Sequence, residues 1–549
     1  MSDPSPLRAR LPPADGPTIA ETLAAAREQH VADRLREPDP TLWAPAGTPE
    51  VANRLGWLTI AERMLDELLE IERVADGIRR DGLTDAVLLG MGGSSLAPEV
   101  FRRTFAGPAD VPGALRLHVL DSTDPAWVNA VQEAVDPTRA LFIVSSKSGG
   151  TIEPLSLFAH FHALQGDGSH FVAITDPGSG LAQLATDNGF RHVFYGDPDI
   201  GGRYSALSPF GIVPATLMGV DTAALLQGAS RAWDTGAEDA GTQDLPGAVW
   251  LGATLAALAR SGRDKLTFAI APSLPGLGLW LEQLFAESTG KHGTGILPVA
   301  DEPLGDPGVY GEDRVFVHLP DPAAPDADTD QRLAALADAG HPVITIPTAG
   351  PADLGRVFQI AEIAVAVAGW GLGINPFDQP NVQQAKDATN RVLAGFEQSG
   401  ELPEVLVAGE QELRELLLGA GPPAFVALMG YVPQHEDFDA AVAELREAIR
   451  AATRATTTFG YGPRFLHSTG QFHKGGPKTG RFLQLLHEPS RDAEIPGKPF
   501  TFRTLEEAQA IGDIETLREL GLPAERVRLA GEDPSGAVRE MAKRLREWT

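Results

Sequence analysis

The chain has 549 residues, 43% of them apolar and 22% charged, enough for two or three domains with cores of their own and unlike a disordered chain. Its 45 Lys and Arg stand against 74 Asp and Glu, a formal charge of −29, so the average field repels polyanions and speaks against nucleic acid as a partner. There is no cysteine, which removes disulfides, thiolate metal sites and thiol nucleophiles together. The segment Met1 to Pro17 is rich in proline and charge without an apolar signal core, and the longest apolar runs, near Ile363 to Ile374, read as too short for a bilayer. The expectation is a cytoplasmic protein with no membrane partner.

From Thr18 to Arg80 apolar residues recur at three- and four-residue spacing, as in Trp57-Leu58, Ala61, Met64-Leu65 and Leu68-Leu69, which predicts an N-terminal helical layer over 1–80. Ala86 to Leu89 then reads as a buried strand, followed by the turn Gly90 to Ser95 and a helix from about Ala97. Further short strands are expected at Leu117 to Leu120, Ala140 to Val144 and Phe171 to Ile174. Strands that alternate with helices and lack polar alternation predict a parallel sheet covered on both faces, with the functional loops at the strands' carboxyl ends. This first α/β unit spans 81–240.

A second unit, 241–400, begins near Pro246. It reads as a helix at Val249 to Leu258, a strand at Leu266 to Ile270, a long helix through Gln283, strands at Val315 to His318 and Val343 to Ile346, and a helix at Leu354 to Gly369. Asp321 to Asp330, dense in Pro, Ala and Asp, reads as an exposed loop. The C-terminal extension, 401–549, carries an apolar strand at Ala424 to Met429, a charged helix at Phe438 to Thr453, an unusual loop from Phe459 to Gly480, and candidate strands at Phe500 to Thr504 and Val527 to Ala530. It is expected to form a third α/β layer that lends one loop to the site.

Between Val144 and the helical run after Pro154 lies Ser145-Ser146-Lys147-Ser148-Gly149-Gly150-Thr151. Four hydroxyls, an ammonium and two glycines at a strand-to-helix junction suit a phosphate, because backbone N–H groups, short donors and a helix dipole converge there. Helix capping would use one hydroxyl and would leave Lys147 unexplained. Gly90-Met91-Gly92-Gly93-Ser94 invites comparison with a dinucleotide fingerprint, with Asp121 as the acidic residue. Ala97 and Pro98 stand where the third glycine belongs, so a tight turn or a terminal-phosphate loop fits better.

Arg203, in Gly201-Gly202-Arg203-Tyr204-Ser205, either pins its loop to an acidic surface or offers a permanent charge to an enediolate. Gln283 and Glu287 lie four apart on one helical face beside Ser288-Thr289-Gly290-Lys291. Taken alone, Glu287 reads as a solvated helix carboxylate; held against an apolar wall it can abstract a proton α to a carbonyl. Lys386 follows the proline-bounded turn Asn375 to Pro380 and taken alone is an exposed helical lysine. The stretch Gly462 to Pro477 carries His467, His473, Arg464 and Lys474 among hydroxyls and glycines, too polar for core.

Together these segments resemble the glucose-6-phosphate isomerase family, whose members have two sugar isomerase (SIS) domains. Gly92-Gly93-Ser94, Ser146 to Thr151, Gly202-Arg203-Tyr204-Ser205, Gln283 to Lys291, and Phe377-Asp378-Gln379 with Lys386 occur in family order, over about Leu83 to Lys386. Ser148 stands where many members have threonine. The resemblance implies an α/β fold of two doubly wound parallel-sheet SIS domains, and exchange of glucose 6-phosphate with fructose 6-phosphate without metal or redox cofactor. It implies a catalytic set of Glu287 as base, Arg203 for the enediolate anion and Lys386 at the ring oxygen. Gly92, Gly93, Ser94, Ser146, Lys147, Ser148, Thr151, Gln283 and Gln379 would hold the sugar phosphate, and the family usually dimerises.

One segment departs from the family pattern. Where many members carry a ring-opening histidine after the base, Gly305-Asp306-Pro307-Gly308-Val309-Tyr310 ends in tyrosine. Either another histidine opens the ring or Lys386 does so with water; the loop with His467 and His473 is a candidate substitute that resembles the C-terminal region of the isomerase half of transaldolase/isomerase fusions, and His467 is the residue placed in the catalytic set. Two other functions fit the residues: a dual phosphoglucose/phosphomannose isomerase, since selectivity at C2 depends on pocket shape, and a non-catalytic SIS-type regulator. Recognition of a phosphate alone would not need Glu287, Arg203 and Lys386 together.

Overall fold

The computed structural model describes residues 5–105, 111–238, 245–529, 531 and 533–549. Its strands form three sheets. The first has the order β3-β2-β4-β5-β6 and is parallel throughout: β2 is Asp85–Gly90, β3 Arg116–Leu120, β4 Ala140–Ser145, β5 Phe171–Thr175 and β6 His192–Tyr195. Every residue of β2, β4 and β5 is buried, the consequence of helices on both faces and the reason these strands lack polar alternation. β6, with His, Tyr and only one buried residue at the sheet's edge, has no such apolar run, and sequence patterning passes over it.

The second sheet has the order β1-β10-β9-β7-β8, where β7 is Lys265–Ile270, β8 Leu297–Val299, β9 Arg314–Leu319 and β10 Val343–Thr345. Its outer strand β1, Arg8–Arg10, runs antiparallel to β10, so the N-terminal segment contributes a strand as well as its helices. The Ile60–Arg80 helix buries Met64, Leu68, Ile71 and Ile78, whereas Leu69 is 78% exposed, just outside the apolar stripe. The Leu354–Leu372 helix is buried nearly all round. By length and composition Gly350–Leu372 is apolar enough to cross a membrane, which corrects the expectation that this run is too short; 89% of its apolar window is buried within the fold.

The third sheet, order β12-β11-β13-β14, is parallel and comes wholly from the C-terminal extension: β11 is Phe425–Tyr431, β12 Thr456–Tyr461, β13 Gly480–Leu486 and β14 Ala524–Arg528. Four expectations are corrected here and beside it. Phe500 to Thr504 is no strand but the entry to the Phe502–Glu519 helix, capped by the Thr501 side chain on Thr504 N–H. The strand expected at Val527 begins earlier, at Ala524, and ends at Arg528, while Ala530 lies outside the described residues. The Phe459 to Gly480 loop is largely ordered, with the end of β12, a 3₁₀ turn at Arg464–His467 and a short helix at Gly470–Gly475. The exposed loop expected over Asp321 to Asp330 gives way at Ala327 to a helix that Asp326 caps.

Candidate active site

The site gathers at the carboxyl ends of β2 and β4, where the first sheet's chain order reverses direction. The loop after β2 meets the Gly202–Tyr204 turn so closely that a Cβ on Gly93 would lie 2.1 Å from the Gly202 carbonyl oxygen. Ser205 Oγ donates to Gly93 O at 3.2 Å and ties the two loops. Gly92 has φ +55°, and a Cβ there would stand 2.7 Å from the His467 carbonyl. Ser94, at the end of the same turn, is buried.

Arg203, only 2% exposed, is held from three directions. Its Nε donates to Ser288 Oγ at 2.8 Å, and its Nη2 to the carbonyls of Pro376 and Asp378 at 2.7 and 3.0 Å. Its Nη1 lies 3.4 Å from both Glu287 Oε2 and Gln379 Oε1. Glu287 sits on the Leu277–Thr289 helix and is buried, unlike the solvated carboxylate its local sequence suggests. Burial raises its pKa, opposed by the charges of Arg203 and His467. Gln283, one turn earlier, donates to Glu287 Oε2 at 3.5 Å and to the His467 carbonyl at 2.9 Å. Lys291, from the same segment, donates to Asp378 Oδ1 at 2.6 Å; burial and the neighbouring Arg203 bring its pKa down to about 8.

His467 reaches the site from the C-terminal extension, its Nε2 2.8 Å from Glu153 Oε1. Gln509 Nε2 donates to the same oxygen at 2.7 Å, and Gln509 Oε1 accepts from Thr123 Oγ1 at 2.7 Å. Burial alone would raise the Glu153 pKa, but His467, with smaller help from Lys386, holds it below the ordinary value. A cavity of about 100 Å³ brings Glu153 and His467 together with Gly150, Thr151, Lys386 and Gln509. The exposed Lys386 and the N-terminus of the Ile152–Gln165 helix, which begins after Thr151, put positive potential on it. A larger cavity, about 450 Å³, lies between Arg103, Glu282 and Arg464, and neither Glu287 nor His467 lines it.

The hydroxyl loop is less open than its composition suggests. Ser146 Oγ accepts from Gly149 N at 3.2 Å and donates to Thr151 Oγ1 at 3.3 Å, and Ser148 Oγ accepts from Gly150 N at 3.4 Å, so two hydroxyls hold the loop's own shape. Lys147 turns to the neighbouring strand's loop: its Nζ pairs with Asp176 and donates to the Asp197 carbonyl at 3.2 Å. Of the two histidines, His473 stays out of the cavity. It is buried against Phe482, Phe465 and Phe425, both ring nitrogens lack a partner among the described residues, and burial brings its pKa down to about 3.

Tyr310 is buried too, its hydroxyl accepting from Gly305 N and Arg450. Asp121 is taken by Arg464 in a two-pronged ion pair at 2.7 and 2.8 Å, which leaves it no part in a dinucleotide site. Sequence reasoning passes over Glu153, Lys291 and Gln509 as site residues. Glu153 follows the hydroxyl loop by two residues, and a carboxylate at a helix start ordinarily reads as dipole compensation. Among the described residues no group of three or more His, Asp or Glu is arranged to hold a metal ion.

A family model for phosphoglucose isomerase matches residues 20–308, just over half the chain. A glucose-6-phosphate isomerase of Rubrobacter xylanophilus is 31% identical over 405 residues, 65% of this chain and 92% of that protein. One from Thermus thermophilus is 28% identical over 407 residues, 66% of this chain and 95% of that protein. The structure of a hypothetical protein from Thermus thermophilus superposes with a TM-score of 0.58 at 27% identity, covering 70% of this chain and all of that one. The fold is shared with a glucose-6-phosphate isomerase of Chlamydia trachomatis, TM-score 0.51 at 21% identity over 62% of this chain and 75% of that one. The chain belongs to the phosphoglucose isomerase family and is an isomerase.

Proposed function

We propose that the protein interconverts glucose 6-phosphate and fructose 6-phosphate through a cis-enediolate, with Glu287 as the base. In the aldose-to-ketose direction the Glu287 carboxylate takes the C2 proton, the C–H electron pair forms the C1=C2 double bond, and the C1=O1 π pair moves onto O1. The O2 proton passes to O1, the O2 electron pair forms the C2 carbonyl, and the C1=C2 π pair takes the proton that Glu287 returns to C1. The observation that carries this reading is the buried Arg203–Glu287 contact at 3.4 Å. A carboxylate whose pKa is raised by burial is a stronger base, and a guanidinium fixed by three other partners meets the enediolate charge without reorganising.

His467, oriented by Glu153, opens the ring by exchanging a proton between the ring oxygen and the C1 hydroxyl, with Lys386 beside it at the ring oxygen. The Thr151 hydroxyl and the N-terminus of the Ile152–Gln165 helix anchor the phosphate. The test is a coupled assay of fructose 6-phosphate conversion by the purified chain beside Glu287→Gln. Full activity in the variant removes Glu287 as base, and no activity in either protein removes the substrate assignment.

A further inference from the structure

The turn that clamps Arg203 is itself gripped from outside. Residues 375–381 follow the Leu354–Leu372 helix and include Pro376 and Pro380, which bring no N–H to a hydrogen-bond ladder. Pro376 O and Asp378 O both accept from Arg203 Nη2, and Gln379 Oε1 lies 3.4 Å from Arg203 Nη1. The N–H groups at either side of this clamp go to side chains: Phe377 N donates to Asn375 Oδ1 and Asn381 N to Gln471 Oε1, each at 2.9 Å. Side chains therefore decide where the turn sits.

Two fully buried side chains supply the grip, Lys291 and Gln471. Lys291 follows the helix that carries Glu287, and its Nζ donates to both Asp378 O and Asp378 Oδ1 at 2.6 Å. The Asp378 carbonyl is thus shared between Lys291 and Arg203. Gln471 comes from the Gly470–Gly475 helix of the C-terminal extension. Its Nε2 donates to Gly290 O and to Asn381 Oδ1, both at 2.9 Å, while its Oε1 takes Asn381 N. Both N–H groups and the oxygen of one amide are engaged, so a single side chain joins the end of the Glu287 helix, the turn and the extension. The junction has no slack: a Cβ on Gly475 would lie 2.5 Å from Asn381 Oδ1 and 2.7 Å from both Gln471 Nε2 and Gly290 O.

We propose that Lys291 and Gln471 are positioning residues for the enediolate step: they fix the 375–381 turn against the end of the Glu287 helix and, through the carbonyls of that turn, the place of the Arg203 guanidinium beside Glu287. The role rests on the isomerase reading. A fixed charge meets a developing anion without reorganising, and a guanidinium whose carbonyl partners drift loses that advantage even while it stays buried. What separates positioning from packing here is the target of the bonds, since both side chains spend theirs on the one turn that holds Arg203.

Coupled fructose 6-phosphate assays and thermal melts of the full chain test the role, with Lys291→Met, Gln471→Met and Gly475→Ala made in the wild type and again beside Arg203→Lys. Gly475→Ala keeps every hydrogen-bonding group and only wedges the junction open. With rates read well below each melting temperature, each change in the wild type should cost about tenfold or more in kcat. Beside Arg203→Lys, where the turn has no guanidinium to aim, the same changes should cost less than about threefold. A merely structural contribution would lower the melting temperature and leave the losses in kcat equal in the two backgrounds. Such equal losses, or wild-type kcat in any of the three variants, would overturn the role and leave the isomerase reading standing. A wild-type chain without activity on fructose 6-phosphate would overturn both.

Discussion

His467 Nε2 lies 2.8 Å from Glu153 Oε1, a contact between residues 314 positions apart that joins the C-terminal extension to the helix after the hydroxyl loop. The carboxylate sets the orientation of the imidazole. Glu153→Gln should therefore lower kcat/KM about ten- to hundredfold on cyclic fructose 6-phosphate and much less on an open-chain analogue. His467→Ala should show the same pattern more strongly. Equal losses on both substrates would remove this pair from ring opening.

For Glu287 the pKa direction gives a stability prediction as well as a catalytic one. The folded state raises its pKa above 4.5, so it binds the proton more tightly than the unfolded chain, and its contribution to stability is lost as pH rises from that value. Glu287→Gln should lose about a thousandfold or more in kcat and melt above wild type at pH 8, the gap narrowing at pH 5. A variant less stable than wild type at pH 8 would contradict a carboxylate destabilised by burial.

His473 titrates in the opposite sense. Its folded pKa of about 3 lies below the ordinary 6.5, so it is neutral in the fold, and stability present above pH 6.5 is lost as pH falls towards 3. The slope reaches about 1.4 kcal/mol per pH unit for one proton. Replacing it by leucine should flatten this acid limb in thermal melts while kcat changes less than threefold. A catalytic loss like that of His467→Ala would mean that the wrong histidine has been placed at the ring.

Gly93→Ala places a methyl 2.1 Å from the Gly202 carbonyl, where backbone faces backbone and no flexible side chain can yield. The two loops must separate, carrying Arg203 away from Glu287. We expect a stability loss of about 1–3 kcal/mol and at least a tenfold drop in kcat, read by denaturant unfolding and the coupled assay. Wild-type activity would show that the Gly92–Ser94 and Gly202–Tyr204 turns need not touch.

Lys147→Met tests whether this lysine is a phosphate ligand or a pin for its loop. Its ammonium pairs with Asp176, in a partly buried contact. Loss of a pin should raise KM less than tenfold and change kcat little, whereas removal of a direct phosphate contact should raise KM by more than tenfold.

The strands and loops that build the site were legible in the sequence because their causes are local. β2, β4 and β5 are buried on both faces and read as unbroken apolar runs, and glycines and hydroxyls mark where they end. The edge strand β6 and the strands β1 and β8, each three residues long, were not legible, because their pairing comes from neighbours rather than from their own patterning. Phe500 to Thr504 has the composition of a strand, yet the Thr501 cap starts a helix there.

What the sequence by itself determined is the parallel α/β architecture, the order of the loops, and the presence of a carboxylate, a guanidinium and a hydroxyl-rich turn suited to a sugar phosphate. Which charged groups meet there was decided only by the tertiary structure. Lys147 is bound to Asp176, Asp121 to Arg464, and His473 is enclosed by phenylalanines, while Glu153 takes His467 and Arg203 meets Glu287. The physical reason is that burial and ion pairing depend on residues distant in the chain, and they decide which charge is spent on the fold and which is left at the site.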